Sequence, residues 1–282
     1  MLQYELPNGY LSATSLNCLL TCPRMFEFRY VEKLPVPPTA SMLTGTALHR
    51  TFEQYYRGVI ENADNRLTAI QIADLSTAML EDTLTTEEHY LKSEEQEEAG
   101  TTVRELSTSY VEHVAETIMP LAVEEQHVWS ARCGVPMLAY IDLRHQLPDG
   151  SQGIVDYKVT TKRWTPDKLT NSLQFNLYAM MTGICNVEVH NLVKATPAKR
   201  TSMTKPIDGV TDVDHNCRVL RHTFDGSAND YLEDLIASCA ALITSGIFMP
   251  CAMDSWNCNP DWCGYWNICR GKIHRSMIDL AA

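Results

Sequence analysis

The hydrophobic period of this chain changes once, near residue 128, and that change limits what the chain can fold into. Before it, apolar residues recur at helical spacing: Leu16, Leu19 and Leu20 after the capping residue Ser12, Phe26, Phe28 and Tyr30 after Pro23, and Leu48, Phe52, Tyr55 and Tyr56 within 43–60. Pro35, Pro37 and Pro38 mark a loop, and segments 69–93 and 100–126 repeat the helical pattern. After it, 128–133, 137–147 and 153–160 alternate or run apolar with β-branched content, separated by Gly134-Val135-Pro136 and Pro148-Asp149-Gly150 as turns. Helical spacing returns in 167–182 through Leu169, Leu173, Leu177 and Met180. Two more strands are expected at 187–195 and 218–224, then a helix at 229–244. Strands, a helix and more strands imply a mixed α/β core with the helical first third packed against it. Neither a repeat nor a linker divides the chain, so one domain is expected over 1–282, with a helical portion 1–128, an α/β core 129–245 and a tail 246–282.

Two of the strand-like runs carry charge where burying charge is costly. They are Ala139-Tyr140-Ile141-Asp142-Leu143-Arg144 and Ile154-Val155-Asp156-Tyr157-Lys158. A strand has period two, so Asp156 and Lys158 point to one face, and Asp142 reaches that face if the strands pair across the turn. Two carboxylates holding a divalent cation beside a lysine suit phosphodiester hydrolysis, because the metal lowers the pKa of bound water while the ammonium orients water or neutralises developing charge. Taken alone, Asp156 and Lys158 also fit a plain ion pair on an exposed strand. Gln174 and Tyr178 lie one helical turn apart on the segment that follows. His49, on an earlier amphipathic segment with Glu53 one turn later, is either a satisfied helix residue or a nitrogen ligand for the same cation.

The ten cysteines need their own account. Met1–Glu5 lacks a basic region leading into an apolar stretch, and no run nears the ~20 apolar residues of a membrane helix. A cytoplasmic, reducing setting without a membrane partner is therefore expected, where clustered cysteines more often hold metal than form disulfides. Cys258, Cys263 and Cys269 are separated by four and five residues. Zinc sites normally show two-residue gaps, so this spacing favours an iron–sulfur cluster. A cubane needs a fourth thiolate, and Cys22, Cys18 and Cys251 are the candidates. Cys133, Cys185, Cys217 and Cys239 sit among apolar neighbours and read as small core residues.

The formal charge of −12 argues against a protein that coats nucleic acid with a wholly basic surface. Segment 81–98 holds eight acids and one lysine, a solvated helix face. In contrast, 158–205 holds Lys158, Lys162, Arg163, Lys168, Lys194, Lys199, Arg200 and Lys205 against Asp167 and Glu188. Lys162, Arg163, Trp164 and Lys168 directly follow the charged strand and are candidate phosphate contacts with one stacking ring. A narrow basic track on an acidic body favours a threaded strand.

In order along the chain stand Cys22-Pro23, Gly45-x-x-x-His49, Ile141-Asp142, Asp156-x-Lys158, Gln174-x-x-x-Tyr178 and the C-terminal cysteine group. This order resembles the RecB-like branch of the PD-(D/E)xK nucleases, in particular members with an iron–sulfur cluster such as the AddB-type nuclease domain and the CRISPR-associated RecB-like exonucleases, phage-encoded members among them. The resemblance implies a restriction-endonuclease-like mixed sheet with a helical N-terminal portion and an iron–sulfur staple. It makes His49, Asp142 and Asp156 side-chain ligands of Mg²⁺ or Mn²⁺ with the Tyr157 carbonyl as a further ligand. Lys158 becomes the catalytic lysine, Gln174 and Tyr178 the motif beside the scissile phosphate, and Cys22, Cys258, Cys263 and Cys269 the ligands of a [4Fe-4S] cluster. Joining Cys22 to the tail closes a loop worth several kcal/mol of unfolded-state entropy. The implied activity is a DNA nuclease, an exonuclease on single-stranded ends in recombination, repair or phage DNA processing. The alternative is a non-catalytic iron–sulfur DNA-binding subunit of a recombination or CRISPR adaptation complex, a reading against which the joint retention of Asp142, Asp156, Lys158 and Gln174 speaks. No P-loop is present, so a helicase would be a partner protein. Ala139 stands where the family often has glycine, and the literal Pro-Asp is absent.

Overall fold

The computed structural model describes residues 5–87, 90–194, 210–212 and 216–270. The chain forms two compact units, one of residues 1–36, 128–139 and 228–282 and one of 37–127 and 140–227. In chain order, helix α1 (Ala13–Thr21) and the single turn α2 (Pro23–Phe26) belong to the first unit. Ser12 caps α1 by accepting the Ser15 N–H while the Ser15 hydroxyl accepts the Ser12 N–H, and Pro23 opens α2 where its missing N–H costs nothing.

The second unit holds α3 (Ala40–Glu61), α4 (Ala69–Thr86) and α5 (Ser93–His113), of which α3 and α4 are capped by Thr39 and Thr68. Their apolar faces meet the sheet. Leu48, Phe52, Tyr56, Ile72, Val103 and Tyr110 are buried in one cluster with Leu143, Val155, Tyr157, Leu192 and Val219. The strands are β1 (Met119–Ser130), β2 (Pro136–Gln146), β3 (Gln152–Thr160), β4 (Asn186–Val193), β5 (Val210–Asp212) and β6 (Cys217–Thr223), in the order β1-β2-β3-β4-β6-β5. β2 and β3 are antiparallel with Leu143 opposite Val155, whereas β3 and β4 are parallel with Asp156 opposite Val189. A parallel pair needs a crossover, supplied by α6 (Pro166–Thr170) and α7 (Leu173–Thr182). Gly183 ends α7 in the left-handed region at φ 71°, where glycine carries no steric penalty. In the first unit, α8 (Asn229–Thr244) and the short α9 (Trp266–Cys269) complete the helices. There Phe28, Leu34 and Tyr265 are buried together, the Tyr265 hydroxyl donates to the Leu34 carbonyl at 3.1 Å, and a Cβ on Gly264 would fall within the Val36 side chain.

The sequence-based boundaries fail in two places. The helix expected over 100–126 ends at His113, and Met119–Ser130 is strand. Pro120 cannot donate to a helix, and alternation through Leu121, Val123 and Glu125 suits a pleat. The helix expected over 167–182 breaks at Asn171-Ser172, because the Asn171 amide turns back to donate to the Asp167 carbonyl at 2.8 Å. Of the expected basic track, Lys199, Arg200 and Lys205 lie outside the described residues. No helix among the described residues is long and apolar enough to cross a membrane.

A polar chain runs through the core of the second unit. Tyr56 and Tyr110 share a hydrogen bond of 2.9 Å, Tyr110 meets His190 Nδ1 at 3.0 Å, and His190 Nε2 meets Glu188 at 3.1 Å. Arg221 donates to the other Glu188 oxygen at 3.1 Å, and His145 lies 3.7 Å from it. Residue 153 is glycine because a Cβ there would stand 2.6 Å from His145 Nε2. Burial raises the Glu188 carboxyl, but the bond and charge of His190, then Arg221 and His145, outweigh it and hold it at about 2.

Glu188→Gln leaves these donors without their anion and should lower unfolding free energy by about 3 kcal/mol at neutral pH, measured in urea. A depressed folded pKa contributes stability above the unfolded value of 4.5 and loses it as pH falls towards about 2, so the gap between wild type and variant should narrow over that window.

Candidate functional site

His49 on α3, Glu124 on β1 and Asp142 on β2 bring three ligand atoms within 4.8 Å of one another. His49 Nδ1 lies 3.3 Å from Asp142 Oδ2, and Nε2 lies 3.0 Å from the Tyr157 carbonyl. The Tyr157 N–H donates to the same Asp142 oxygen at 2.9 Å. Both ring nitrogens of His49 therefore face acceptors, which favours the doubly protonated imidazolium. Burial works against that charge, yet Asp142, through charge and hydrogen bond, and then Asp156 carry the His49 pKa up to about 9. For Asp142 the balance runs the other way: burial raises it, and His49, the Tyr157 N–H and Lys158 together bring it below its ordinary value.

Beside this group, β3 places Asp156 and Lys158 on one face. Lys158 Nζ lies 2.7 Å from Asp156 Oδ2 and donates to Gln174 Oε1 at 3.0 Å. The Gln174 amide nitrogen donates to Asp156 Oδ1 at 2.9 Å and to the Tyr178 hydroxyl at 2.7 Å. Gln174 thus clamps both strand residues, accepting from the ammonium and donating to the carboxylate, an orientation its two amide ends permit only one way. Burial, relieved by Lys158 and reinforced by Asp142, raises Asp156 to about 6.

Glu124 is the residue that sequence reasoning missed. Its φ is 48°, a left-handed value that costs about 1–3 kcal/mol for a residue other than glycine. The kink separates two adjacent acids: Glu125 accepts from Arg144 at 2.7 Å, while Glu124 joins His49 and Asp142. Burial, then the charges of Asp142 and Glu53, lift Glu124 to about 7. Its only trace in the sequence is the pair of adjacent acids in a segment whose apolar spacing also suits a helix.

The structure brings His49, Asp142, the Tyr157 carbonyl, Asp156, Lys158, Gln174 and Tyr178 into one site. Lys162 and Lys168 are exposed just beyond β3, and Arg163 is half-buried. Trp164 is 7% exposed, its backbone N–H donates to Asn191 Oδ1 at 2.8 Å, and its ring packs on Phe175 with Lys168 Nζ 4.0 Å from the centroid. The ring expected to stack on bases is instead an anchor for the loop, with a cation laid over it.

In the first unit, Cys22, Cys251, Cys258, Cys263 and Cys269 line a small cavity that is open to solvent, together with Met25, Phe28, Trp266 and Arg270. The Cys251 N–H donates to Cys22 Sγ at 3.4 Å and Arg270 Nη2 to Cys258 Sγ at 3.3 Å. Cys18 is buried outside the lining, and burial pushes its thiol up to about 11. Among the described residues no three sulfurs gather within the 4.8 Å that joins the histidine and acids. Cys217 and Cys239 are buried as expected, Cys133 is half-buried and Cys185 is exposed.

Residues 10–270 match the PD-(D/E)XK nuclease superfamily, and the mixed sheet with its helices is the restriction-endonuclease-like fold of that group. No curated protein matches the chain. Among solved structures, the crystal structure of SSO0001 is similar with a TM-score of 0.45 and 11% identity, over 94% of this chain and 88% of that one.

A cation held by His49 and Glu124 must displace protons that these groups keep to about pH 9 and about pH 7. Calorimetric titration with Mn²⁺ near neutral pH, in buffers of different ionisation enthalpy, should show about 1.5 protons released per ion, and His49→Ala should release fewer. Affinity should rise with pH up to about 9, and a flat profile would remove His49 from the ligand set.

Proposed function

The chain belongs to the PD-(D/E)XK nuclease superfamily, and from that premise we propose that it is a divalent-cation-dependent deoxyribonuclease of the RecB-like, iron–sulfur branch, acting as an exonuclease on single-stranded DNA ends. The observation that carries this reading is the pairing of a histidine–carboxylate group with a lysine fixed by Asp156 and Gln174 on the adjacent strand. His49, Glu124 and Asp142 would hold Mg²⁺ or Mn²⁺, with Asp156 and the Tyr157 carbonyl beside them. The bound cation supplies acidification of water and polarisation of the phosphoryl oxygens.

The remaining chemistry belongs to the chain. A lysine ammonium has three donors; Lys158 gives one to Gln174 and is held as an ion pair 2.7 Å from Asp156 Oδ2. A donor remains for the attacking water or a phosphoryl oxygen, aimed by these two contacts. Tyr178 is held protonated well above its ordinary value by burial and by Asp156. Its oxygen already accepts from Gln174, so its O–H is left to donate to a phosphate oxygen. Lys162, Arg163 and Lys168 supply backbone contacts to a strand leaving β3. For [4Fe-4S], Cys22, Cys258, Cys263 and Cys269 are the ligands, supported by their shared lining of one cavity and by the hydrogen bonds to Cys22 and Cys258 sulfur. A role in recombination, repair or phage DNA processing, in the cytoplasm and beside a helicase or CRISPR partner, fits such an enzyme.

End-labelled single- and double-stranded DNA incubated with Mn²⁺ should be degraded by wild type and at least about 10²-fold more slowly by Lys158→Ala. Equal rates would refute the site, and binding without cleavage by either protein would favour the non-catalytic subunit. Single-strand affinity should fall with salt, and Lys162→Ala with Lys168→Ala should flatten the log–log slope by about 1.4. Anaerobically purified protein should be brown; a colourless, zinc-loaded preparation would remove the cluster.

A further inference from the structure

Five thiols face a cavity in which the proposed cubane needs four. We propose that Cys251 is an exchange ligand: a fifth thiol that takes over an iron when Cys22 releases it. This rests on the iron–sulfur reading above. The Cys251 N–H donates to Cys22 Sγ at 3.4 Å, and Cys251 lines the same cavity as Cys22 and Cys258. It therefore stands at the ligand positions without being one of the four.

The two cysteines differ in how firmly the backbone holds them. Cys22 is buried at the junction of α1 and α2, its N–H bonded to the Cys18 carbonyl and its own carbonyl accepting from Met25 and Phe26. Cys251 is half-exposed in an irregular stretch, residues 247–252, between α8 and the turns of the tail. A small shift of that stretch moves its sulfur at little cost, whereas moving Cys22 would break helix-end hydrogen bonds. Asn257 steadies the Cys251 sulfur from the far side, its amide donating at 3.8 Å.

The exchange balances without an outside reagent. The Cys22 sulfur–iron bond breaks, the Cys251 sulfur–iron bond forms, and the proton leaving Cys251 ends on the released Cys22 sulfur. Iron keeps its oxidation state, and the cluster keeps four protein ligands.

Reconstituting wild type, Cys22→Ala, Cys251→Ala and the double variant anaerobically, then counting iron and acid-labile sulfide, tests this directly. Each single variant should hold about four irons per chain and the double variant three or fewer. Iodoacetamide mapping by mass spectrometry should find Cys251 modified in the loaded wild type and protected in loaded Cys22→Ala. Cys258→Ala, which removes another thiol of the same cavity, is a second background in which Cys251 should become protected. Loss of iron from Cys22→Ala as complete as from the double variant would overturn the proposal while leaving the cluster intact in wild type. So would a Cys251 already protected in wild type. A wild type that takes up neither iron nor sulfide would overturn the cluster reading itself, and the exchange with it.

Discussion

Glu124, Asp142 and Asp156 crowd three carboxylates into one largely enclosed region, and much of the second unit is arranged around supplying positive charge to them. His49 and Lys158 are the cations, and both act through β3. The strand divides its residues by parity. Asp156 and Lys158 face the site, while the Tyr157 ring turns into the core against Phe52 at 4.8 Å, Tyr110 at 5.7 Å and His190 at 6.0 Å. That aromatic packing fixes the height of the Tyr157 peptide, whose N–H grips Asp142 and whose carbonyl meets His49. A core contact and a site contact are thus two ends of one residue.

The legible part of this arrangement was the part carried by local pattern. Asp142, Asp156 and Lys158 stand out because charge interrupts apolar strands, and Gln174 and Tyr178 because a helical turn separates them. Glu124 was hidden because segment 100–126 shows apolar residues compatible with either period, and only tertiary pairing makes Met119–Ser130 a strand. Its left-handed φ leaves no mark in composition. Trp164 misled in the opposite sense: an aromatic ring in a basic loop reads as a stacking surface, but Asn191 and Phe175 hold it inside.

Charge arithmetic along the chain carries the same lesson. Glu188 subtracts from the basic track when counted in sequence, yet it is 3% exposed and bound to His190 and Arg221. Lys158 adds to that track on paper but is neutralised by Asp156. Lys162 and Lys168 are exposed, with Arg163 half-buried beside them, so a formal sum over 158–205 describes the segment and not its surface.

The two candidate sites obey one electrostatic rule although their donors differ. In the carboxylate site, burial raises Glu124 and Asp156 while the charge and hydrogen bond of Asp142 raise His49, so protons on His49 and Glu124 stand where a cation's charge would. In the cysteine cavity, burial and neighbouring thiols raise Cys251, Cys263 and Cys269, so each sulfur keeps its proton until a metal takes it. Charge of one sign gathered away from water must be neutralised by something, and a proton is the smallest neutraliser available. Ligand sets built this way exchange protons for metal, and the tighter the ligands crowd, the more firmly those protons are held before the exchange.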